Sequence, residues 1–398
     1  MASKHDEVIG KLLVVDDNEA NRDTLSRRLK RAGHDVDVAD GGQVALQMIA
    51  ETPYDVILLD VMMPEVDGFE VLKQVRETTP ADHLPIIMAT AKTDSDTIVD
   101  ALEMGANDYV TKPLDFPVVR ARVQTQLALK KARESLADAH DRMKHDLEAA
   151  AEVQMATLPA EIEIEGYDFA WQFFPCDELG GDGLNIVPLS DKEVMVCLWD
   201  VCGHGVPAAL LSVSVARMLG ASSSYSELIH SSENGDNNLA PPRLVAERLN
   251  ERFQMSDNAS RFFTTCYGIL DTQTGTFRYT SAGHPAPIHV LNDGSIKANE
   301  LPGFPIGVTE SVEGGFGEAE IVLAPGDRLF IYSDGFEEQS NQSEDLFGIP
   351  ALQDELKNMR TLPAKEVAGK LYQKLLEWSG AEKLSDDASI IVVQRNLS

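Results

Sequence analysis

The sequence predicts two α/β domains of different construction joined by one long helix: a doubly wound parallel sheet, then a sandwich of antiparallel sheets flanked by helices. Three observations predict it. Short β-branched runs alternate with helical patterns from Lys11 to Thr111, as a parallel sheet covered on both faces requires. The stretch from Arg120 to Leu158 contains neither glycine nor proline. Beyond it strand patterns outnumber helical ones, which suits antiparallel sheets with a few covering helices. A length of 398 residues also exceeds what one core usually serves, which argues for division.

In the first part, Lys11 to Val15 reads as a strand and Ala20 to Ala32 as a helix closed by Gly33. Val36 to Ala39 reads as a strand, Val44 to Ile49 as a helix, and Asp55 to Leu59 as the central strand. Pro85 to Ala89 and Tyr109 to Thr111 supply two further strands. Ligands of such sheets sit beyond the carboxyl ends of the strands, where Asp16, Asp17, Asp60, Thr90 and Lys112 all fall. Carboxylates from two strand ends suggest one metal-dependent phosphate site. Each residue alone is an ordinary turn residue; their order carries the signal.

The helix from Arg120 ends at Pro159. Leu129, Leu136, Met143 and Ala150 recur every seven residues, and Ala132, Ala139 and Val153 lie three beyond three of them. Asp146 interrupts this seam. A heptad seam usually pairs with a copy of itself, which predicts a parallel homodimer through the helix; packing on its own domain is the alternative.

In the last part, Tyr167 to Phe174, Glu193 to Trp199, Phe262 to Asp271, Thr276 to Ala282, Ile288 to Leu291, Asp327 to Tyr332 and Ala388 to Gln394 read as strands. Helices are expected at Pro207 to Leu219, Pro242 to Gln254 and Pro363 to Trp378, with a mobile loop from Ser222 to Pro242. Acids again stand at strand ends beside glycines: Gly180-Gly181-Asp182, Asp200-Val201-Cys202-Gly203-His204-Gly205, Ser333-Asp334-Gly335 and Ser385-Asp386-Asp387-Ala388. Any one is a common turn. Four carboxylates gathered from separate strands repel unless cations lie between them, and two adjacent metals can activate water against a phosphate ester.

Composition narrows the function classes. A formal charge of -31 disfavours nucleic acid and anionic membrane as partners and suits hard cations. The four cysteines, Cys176, Cys197, Cys202 and Cys266, lack zinc or disulfide spacing, so reduced thiols in a cytoplasm are expected. Met1 to Gly10 is charged, and no stretch is apolar for long enough to cross a bilayer.

Val15-Asp16-Asp17, Leu59-Asp60-Val61-Met62-Met63-Pro64, Asp67-Gly68, Thr90-Ala91 and Thr111-Lys112-Pro113 together resemble a response-regulator receiver domain, a flavodoxin-like fold. The resemblance implies that Asp60 accepts a phosphoryl group from a histidine kinase or phosphotransfer protein. It implies that Asp16, Asp17, Asp60 and the Met62 carbonyl hold Mg2+, and that Lys112 and Thr90 contact the phosphoryl oxygens. Tyr109 resembles the switch aromatic of that family; an ordinary core tyrosine is the alternative.

The acidic motifs of the last part are joined by Glu152-Val153-Gln154, Leu158-Pro159, Gly205-Val206-Pro207-Ala208-Ala209, Ser281-Ala282-Gly283-His284-Pro285, Pro302-Gly303-Phe304-Pro305-Ile306-Gly307 and Pro325-Gly326-Asp327. The set resembles the PPM-type metal-dependent serine/threonine phosphatases of the RsbU/SpoIIE branch. By resemblance, Asp182, Asp200, the Val201 carbonyl, Asp334 and Asp386 bind two Mn2+ or Mg2+ ions and act through metal-bound water, Asp387 being an alternative ligand to Asp386. Gly183-Leu184-Asn185 departs from the branch, which carries an aromatic pair and another acid there. His204 is either an acid for the leaving group or a structural residue of a glycine turn, and His284 stands likewise. The implied substrate is a phosphorylated anti-sigma-factor antagonist of the STAS type, in a partner-switching circuit. The expected division is a receiver at residues 1–125, a coiled-coil linker at 126–158 and a phosphatase domain at 159–398. A noncatalytic sigma-control protein that sequesters a partner is the alternative, and no basic recognition helix supports DNA binding.

Overall fold

The computed structural model describes residues 8–90, 95–220, 226–231, 238–254, 261–298, 301–310 and 315–397. They form two compact units, Met1–Lys144 and His145–Ser398. In the first, β1 (Lys11–Val15), α1 (Glu19–Arg31), β2 (Asp35–Ala39), α2 (Gly42–Glu51), β3 (Val56–Asp60), α3 (Gly68–Thr78), β4 (Ile86–Thr90), α4 (Ser95–Glu103) and β5 (Asp108–Thr111) alternate along the chain. The strands are parallel in the order β2-β1-β3-β4-β5. Residues of β1 and β3 alternate between two apolar layers, with Leu13, Val15, Ile57 and Leu59 in one and Leu12, Val14, Val56 and Leu58 in the other. Both faces of the sheet are thereby buried, as the unbroken apolar runs require. Strand order reverses between β1 and β3, which opens the crevice where their carboxyl ends meet.

Local chemistry sets the ends. Asn18 accepts hydrogen bonds from the amides of Ala20 and Asn21 and starts α1, while Gly33, at φ 99°, stops it. Asp60 is the last residue of β3, paired with Ala89, rather than the first residue beyond it.

The long helix, α5, spans Phe116–Met155, starting earlier and ending sooner than its sequence pattern suggests. Val119, Val123 and Leu127 anchor its first turns in the receiver-unit core. Leu129, Leu136, Met143 and Val153 along the heptad seam are exposed. The terminus is made before Pro159, by the Thr157 hydroxyl bonding the Gln154 carbonyl at 2.7 Å.

In the second unit the chain continues through β6 (Tyr167–Phe174), β7 (Gly183–Pro188), β8 (Glu193–Val201), α6 (Val206–Met218), α7 (Ser226–Ile229), β9 (His230–Ser231), β10 (Asn238–Leu239), α8 (Pro242–Arg252), β11 (Phe263–Asp271) and β12 (Thr276–Ala282). It then forms β13 (Ile288–Val290), β14 (Ile296–Ala298), β15 (Ala319–Val322), β16 (Arg328–Tyr332), α9 (Gly348–Asn358), α10 (Ala364–Ser379) and β17 (Ala388–Arg395). Two antiparallel five-stranded sheets result, in the orders β15-β12-β11-β8-β7 and β14-β13-β16-β17-β6. Strand alternation builds the layers. Val194, Val196 and Leu198 of β8 meet Ile391 and Val393 of β17 between the sheets, while Met195, Cys197 and Trp199 face α6 and α8 outside. Ile390 and Val392 face α9 and α10 on the other side.

Beyond the segment between α6 and α8, β7, β14, β15 and α9 escape the sequence reading. β7 is short and opens on Gly183, β14 and β15 are shorter still, and α9 carries only Leu352 and Leu356 as fully buried apolar anchors. The expected Ser222 to Pro242 loop is corrected in its described parts: α7 and the β9–β10 ladder are ordered against α8 by Arg248, which donates to the Leu228 and His230 carbonyls. Ala91 and the rest of that loop lie outside the described residues. Among the described residues no helix is long and apolar enough to cross a membrane.

One buried group of the first unit ties stability to pH. Burial holds the His34 imidazole below its ordinary 6.5, and Nδ1 accepts from the Gly10 amide at 3.3 Å. The unfolded chain takes up the proton first, so this contribution is complete above pH 6.5 and lost as pH falls through the lower folded value. The opening free energy of β1, read by amide hydrogen exchange, is expected to decline below that pH by at most about 1.4 kcal/mol per unit. His34→Gln should flatten the slope, and an unchanged slope in that variant removes His34 as its origin.

Candidate functional site

The crevice of the first unit gathers the expected acids. Asp16 and Asp17 follow β1, Asp60 closes β3, and one carboxylate oxygen from each lies within 4.8 Å of the others. Asp16 and Asp60 are buried, whereas Asp17 is exposed. Lys112, directly after β5, brings its ammonium to 2.9 Å from Asp16 and 2.5 Å from Asp60. Burial raises the Asp60 carboxyl above its ordinary value, and Lys112 opposes that rise. Burial alone would lower Lys112, but the two carboxylates override it and hold the ammonium above its ordinary value. The Met62 amide donates to Asp60 Oδ1 at 3.3 Å, and the Met62 side chain is exposed. Thr90 is buried at the end of β4, where its carbonyl accepts from the Lys112 amide at 2.7 Å. Tyr109 is half-buried against the core layer formed by Ile57, Leu59 and Met88. An oxygen-rich donor set of this charge fits a hard divalent cation.

The acids of the second unit converge at one end of the sandwich for a reason visible in the strands. Asp200 extends the inward series Val194, Val196 and Leu198 of β8, and Asp387 and Ser389 extend the inward series Ile391 and Val393 of β17. Ser333 does so for β16, and its hydroxyl donates to Asp182 Oδ2 at 2.7 Å. Burial, then Asp200, drives the Asp182 carboxyl well above its ordinary value. Burial, then Asp334 and Asp386, pushes Asp200 up to about 8, and burial, then Asp386, pushes Asp334 up to about 6. Asp386, at the rim, is also raised by burial, though its backbone contact with Asp387 opposes the rise. Asp182 Oδ1 is buried with no hydrogen-bond partner among the described residues. A buried, partnerless carboxylate oxygen amid mutually repelling acids fits divalent cations.

The adjacent acids Asp386 and Asp387 have different surroundings. Asp387 is buried, and its oxygens accept from the amides of Cys176 at 2.8 Å and Gly181 at 2.6 Å. Asp386 is exposed, accepts from the Asp387 amide at 2.8 Å, and is the freer of the two to meet a cation. Cys176 Sγ lies within 4.8 Å of both carboxylates, and burial pushes its thiol up to about 12. Asp182, Asp200 and Asp334 do not join a set that tight among the described residues.

Packing accounts for the departure after Asp182. A Cβ on Gly183 would lie 2.4 Å from the Trp199 indole, so that ring occupies the space a side chain would need. Trp199 Nε1 donates to the Ser212 hydroxyl at 3.0 Å, which donates to the Asp182 carbonyl at 2.9 Å. His204 is exposed between Gly203 and Gly205, with Nδ1 3.6 Å from Asp177. His284 is buried, its Nδ1 2.7 Å from the Thr264 hydroxyl, and burial lowers it to about 3. Thr264 pairs with Asp200 across the β8–β11 ladder, so its side chain shares the Asp200 face. A sequence motif flagged His284 without giving it this contact, and nothing local pointed to Cys176 or Ser212.

A parallel sheet with an acid-and-lysine crevice, joined in sequence to an acid-lined antiparallel sandwich, defines a two-domain protein with two candidate cation sites. Residues 12–124 match the response regulator receiver domain family. Residues 190–396 match the family described as Stage II sporulation protein E (SpoIIE), and the chain belongs to that family. It is a response regulator whose receiver domain is fused to a SpoIIE/PP2C phosphatase domain. The SiaA-PP2C domain of Pseudomonas aeruginosa shares the fold at 21% identity and a TM-score of 0.54, over 65% of this chain and 99% of that one. The transcriptional regulatory protein AfsQ1 of Streptomyces coelicolor is 44% identical over 116 residues, covering 29% of this chain and 50% of its own. Response regulator MprA of Mycobacterium bovis is 42% identical over 130 residues, covering 32% and 56%. The chain thus spans about half the length of these curated relatives.

The unequal surroundings of Asp386 and Asp387 predict unequal variants. Asp387→Ala strands buried amides and is expected to cost about 2–4 kcal/mol in denaturant unfolding. Asp386→Ala should leave stability within about 0.5 kcal/mol yet weaken Mn2+ binding in calorimetric titration. Equal losses of stability would refute the distinction.

Proposed function

We propose that this protein is a two-component response regulator whose output is a metal-dependent phosphoserine/phosphothreonine phosphatase controlled by phosphorylation of Asp60. The observation that carries the reading is the convergence of Asp182, Asp200, Asp334 and Asp386 at the sandwich end, where burial and mutual repulsion raise each carboxyl. Asp182, Asp200, the Val201 carbonyl, Asp334 and Asp386 would hold two Mn2+ or Mg2+ ions there. When bound, they supply positive charge for the phosphate oxygens and a water of lowered pKa for in-line attack. Asp182 and Asp200 would contribute oxygens from the buried side, and Asp334 and Asp386 from nearer the rim.

In the first unit Asp60 serves as phosphoryl acceptor from a histidine kinase or phosphotransfer protein, with Mg2+ held by Asp16, Asp17, Asp60 and the Met62 carbonyl. Lys112 and Thr90 receive the phosphoryl oxygens, and Tyr109 follows Thr90 as the switch aromatic. The proposed division is a receiver at 1–125, a linker at 126–158 and a phosphatase domain at 159–398. The exposed stripe Leu129, Leu136 and Met143 supports a parallel homodimer through that linker. The substrate class is a phosphorylated anti-sigma-factor antagonist of the STAS type, supported by membership of the SpoIIE family.

Mn2+-dependent hydrolysis of a phosphoserine antagonist and of an aryl phosphate tests the catalytic reading. Asp200→Asn is expected to lower kcat/KM on the order of a hundredfold or more. If the unaltered chain is as inactive as Asp200→Asn across metals and substrates, the phosphatase reading fails. A phosphoryl mimic on Asp60 should change activity or dimerisation, and Asp60→Ala should abolish that response. Leu136→Lys should shift sedimentation toward monomer; an unchanged dimer would place the interface elsewhere.

A further inference from the structure

We propose that Gln154 is a positioning residue for the acidic site of the second unit, clamping the turn that carries Asp182. The inference rests on the cluster being the cation site, and it adds that cation affinity depends on the last turn of α5. Gln154 is 5% exposed. Its side-chain amide meets both backbone polar groups of Gly180: Nε2 donates to the Gly180 carbonyl at 2.6 Å, and the Gly180 amide donates to Oε1 at 3.2 Å. Among the described residues these are the hydrogen bonds of the Gly180 backbone. The adjoining amide, of Gly181, donates to Asp387 Oδ2 at 2.6 Å, and the Asp182 amide approaches the same oxygen at 3.5 Å. Gln154 at the carbonyl and Asp387 at the amide therefore hold the two ends of the one peptide that joins Gly180 to Gly181, from opposite ends of the unit's sequence.

The turn can be fixed in few other ways. A Cβ at Gly180 would lie 2.8 Å from Asp387 Oδ2 and 2.9 Å from the Phe173 ring, so no side chain can help to hold it. A Cβ at Gly181 would lie 2.7 Å from the Val201 carbonyl oxygen, so the turn is pressed onto the backbone beyond Asp200. Displacing Gly180 therefore displaces the buried Asp182 carboxylate and loosens the Asp387 contacts. Contacts one step removed from a metal's ligands commonly set its affinity by ten- to a hundredfold. Gln154 touches neither reacting atoms nor any proposed ligand, so its role is positional.

The test uses the full chain and Mn2+ alone, titrated calorimetrically at a temperature well below unfolding. Gln154→Met keeps the buried volume and removes both hydrogen bonds, and Gln154→Glu keeps an acceptor while setting an oxygen against the Gly180 carbonyl. Both variants are expected to weaken Mn2+ binding about tenfold or more. At saturating Mn2+, kcat for an aryl phosphate should return to within about twofold of the unaltered chain for Gln154→Met, since the proposed ligands are intact. Unfolding in EDTA reports the purely structural contribution separately. A lowered melting temperature with unchanged Mn2+ affinity overturns the proposal, as does no change in either. If the unaltered chain binds no Mn2+ and hydrolyses nothing, the cation-site reading itself falls; if it does both and the variants match it, only the clamp falls.

Discussion

The acidic end of the sandwich depends on one buried carboxylate that faces the protein rather than solvent. Asp387 accepts from the amides of Cys176 and Gly181, and so joins the end of β17 to the loop between β6 and β7. Charge-assisted bonds to backbone amides are strong, and losing their acceptor would strand buried donors. With that loop pinned, Asp182 is buried beside Ser333, and Asp200 comes to share its environment. Gln154 holds the same loop from the other side. The repulsion among the acids is thus sustained by backbone contacts that none of those acids has to supply.

The two acidic sites balance negative charge differently. In the receiver crevice, Lys112 lies between Asp16 and Asp60 and offsets part of the cost of burying them. The ammonium is a fixed cation available to the oxygens of any anionic group in that crevice. At the sandwich end Asp182, Asp200 and Asp334 are raised by burial and by neighbouring carboxylates, Asp386 and Asp387 among them. A site of that kind is built to gain from divalent cations. The same residue type, aspartate at a strand end, serves both because neighbours rather than residue identity set its chemistry.

Much of the fold was legible because periodicity reports burial. β1 and β12 fall where their apolar patterns place them, and β8 and β11 differ only at their ends. β7 was hidden because Gly183 and Asn185 break its pattern, and both owe their places to long-range packing: Trp199 lies over Gly183, and Asn185 is buried inside the sheet. The segment before α8 looked like a loop because its order comes from Arg248 on another element. Pro159 looked like the stop for α5, yet Thr157 and the turn after Met155 end it first.

The sequence by itself determined the class of each domain, the receiver acids around Asp60 and the four acidic motifs, because those depend on residue type and short spacing. It could not decide between Asp386 and Asp387, which are identical in kind and adjacent in position. Tertiary structure separated them through strand alternation, turning Asp387 inward onto the amides of Cys176 and Gly181 and leaving Asp386 at the rim. It likewise gave Gln154 its place, because the peptide it binds lies twenty-six residues further along the chain. Contacts of that reach are settled only when the strands have chosen their faces.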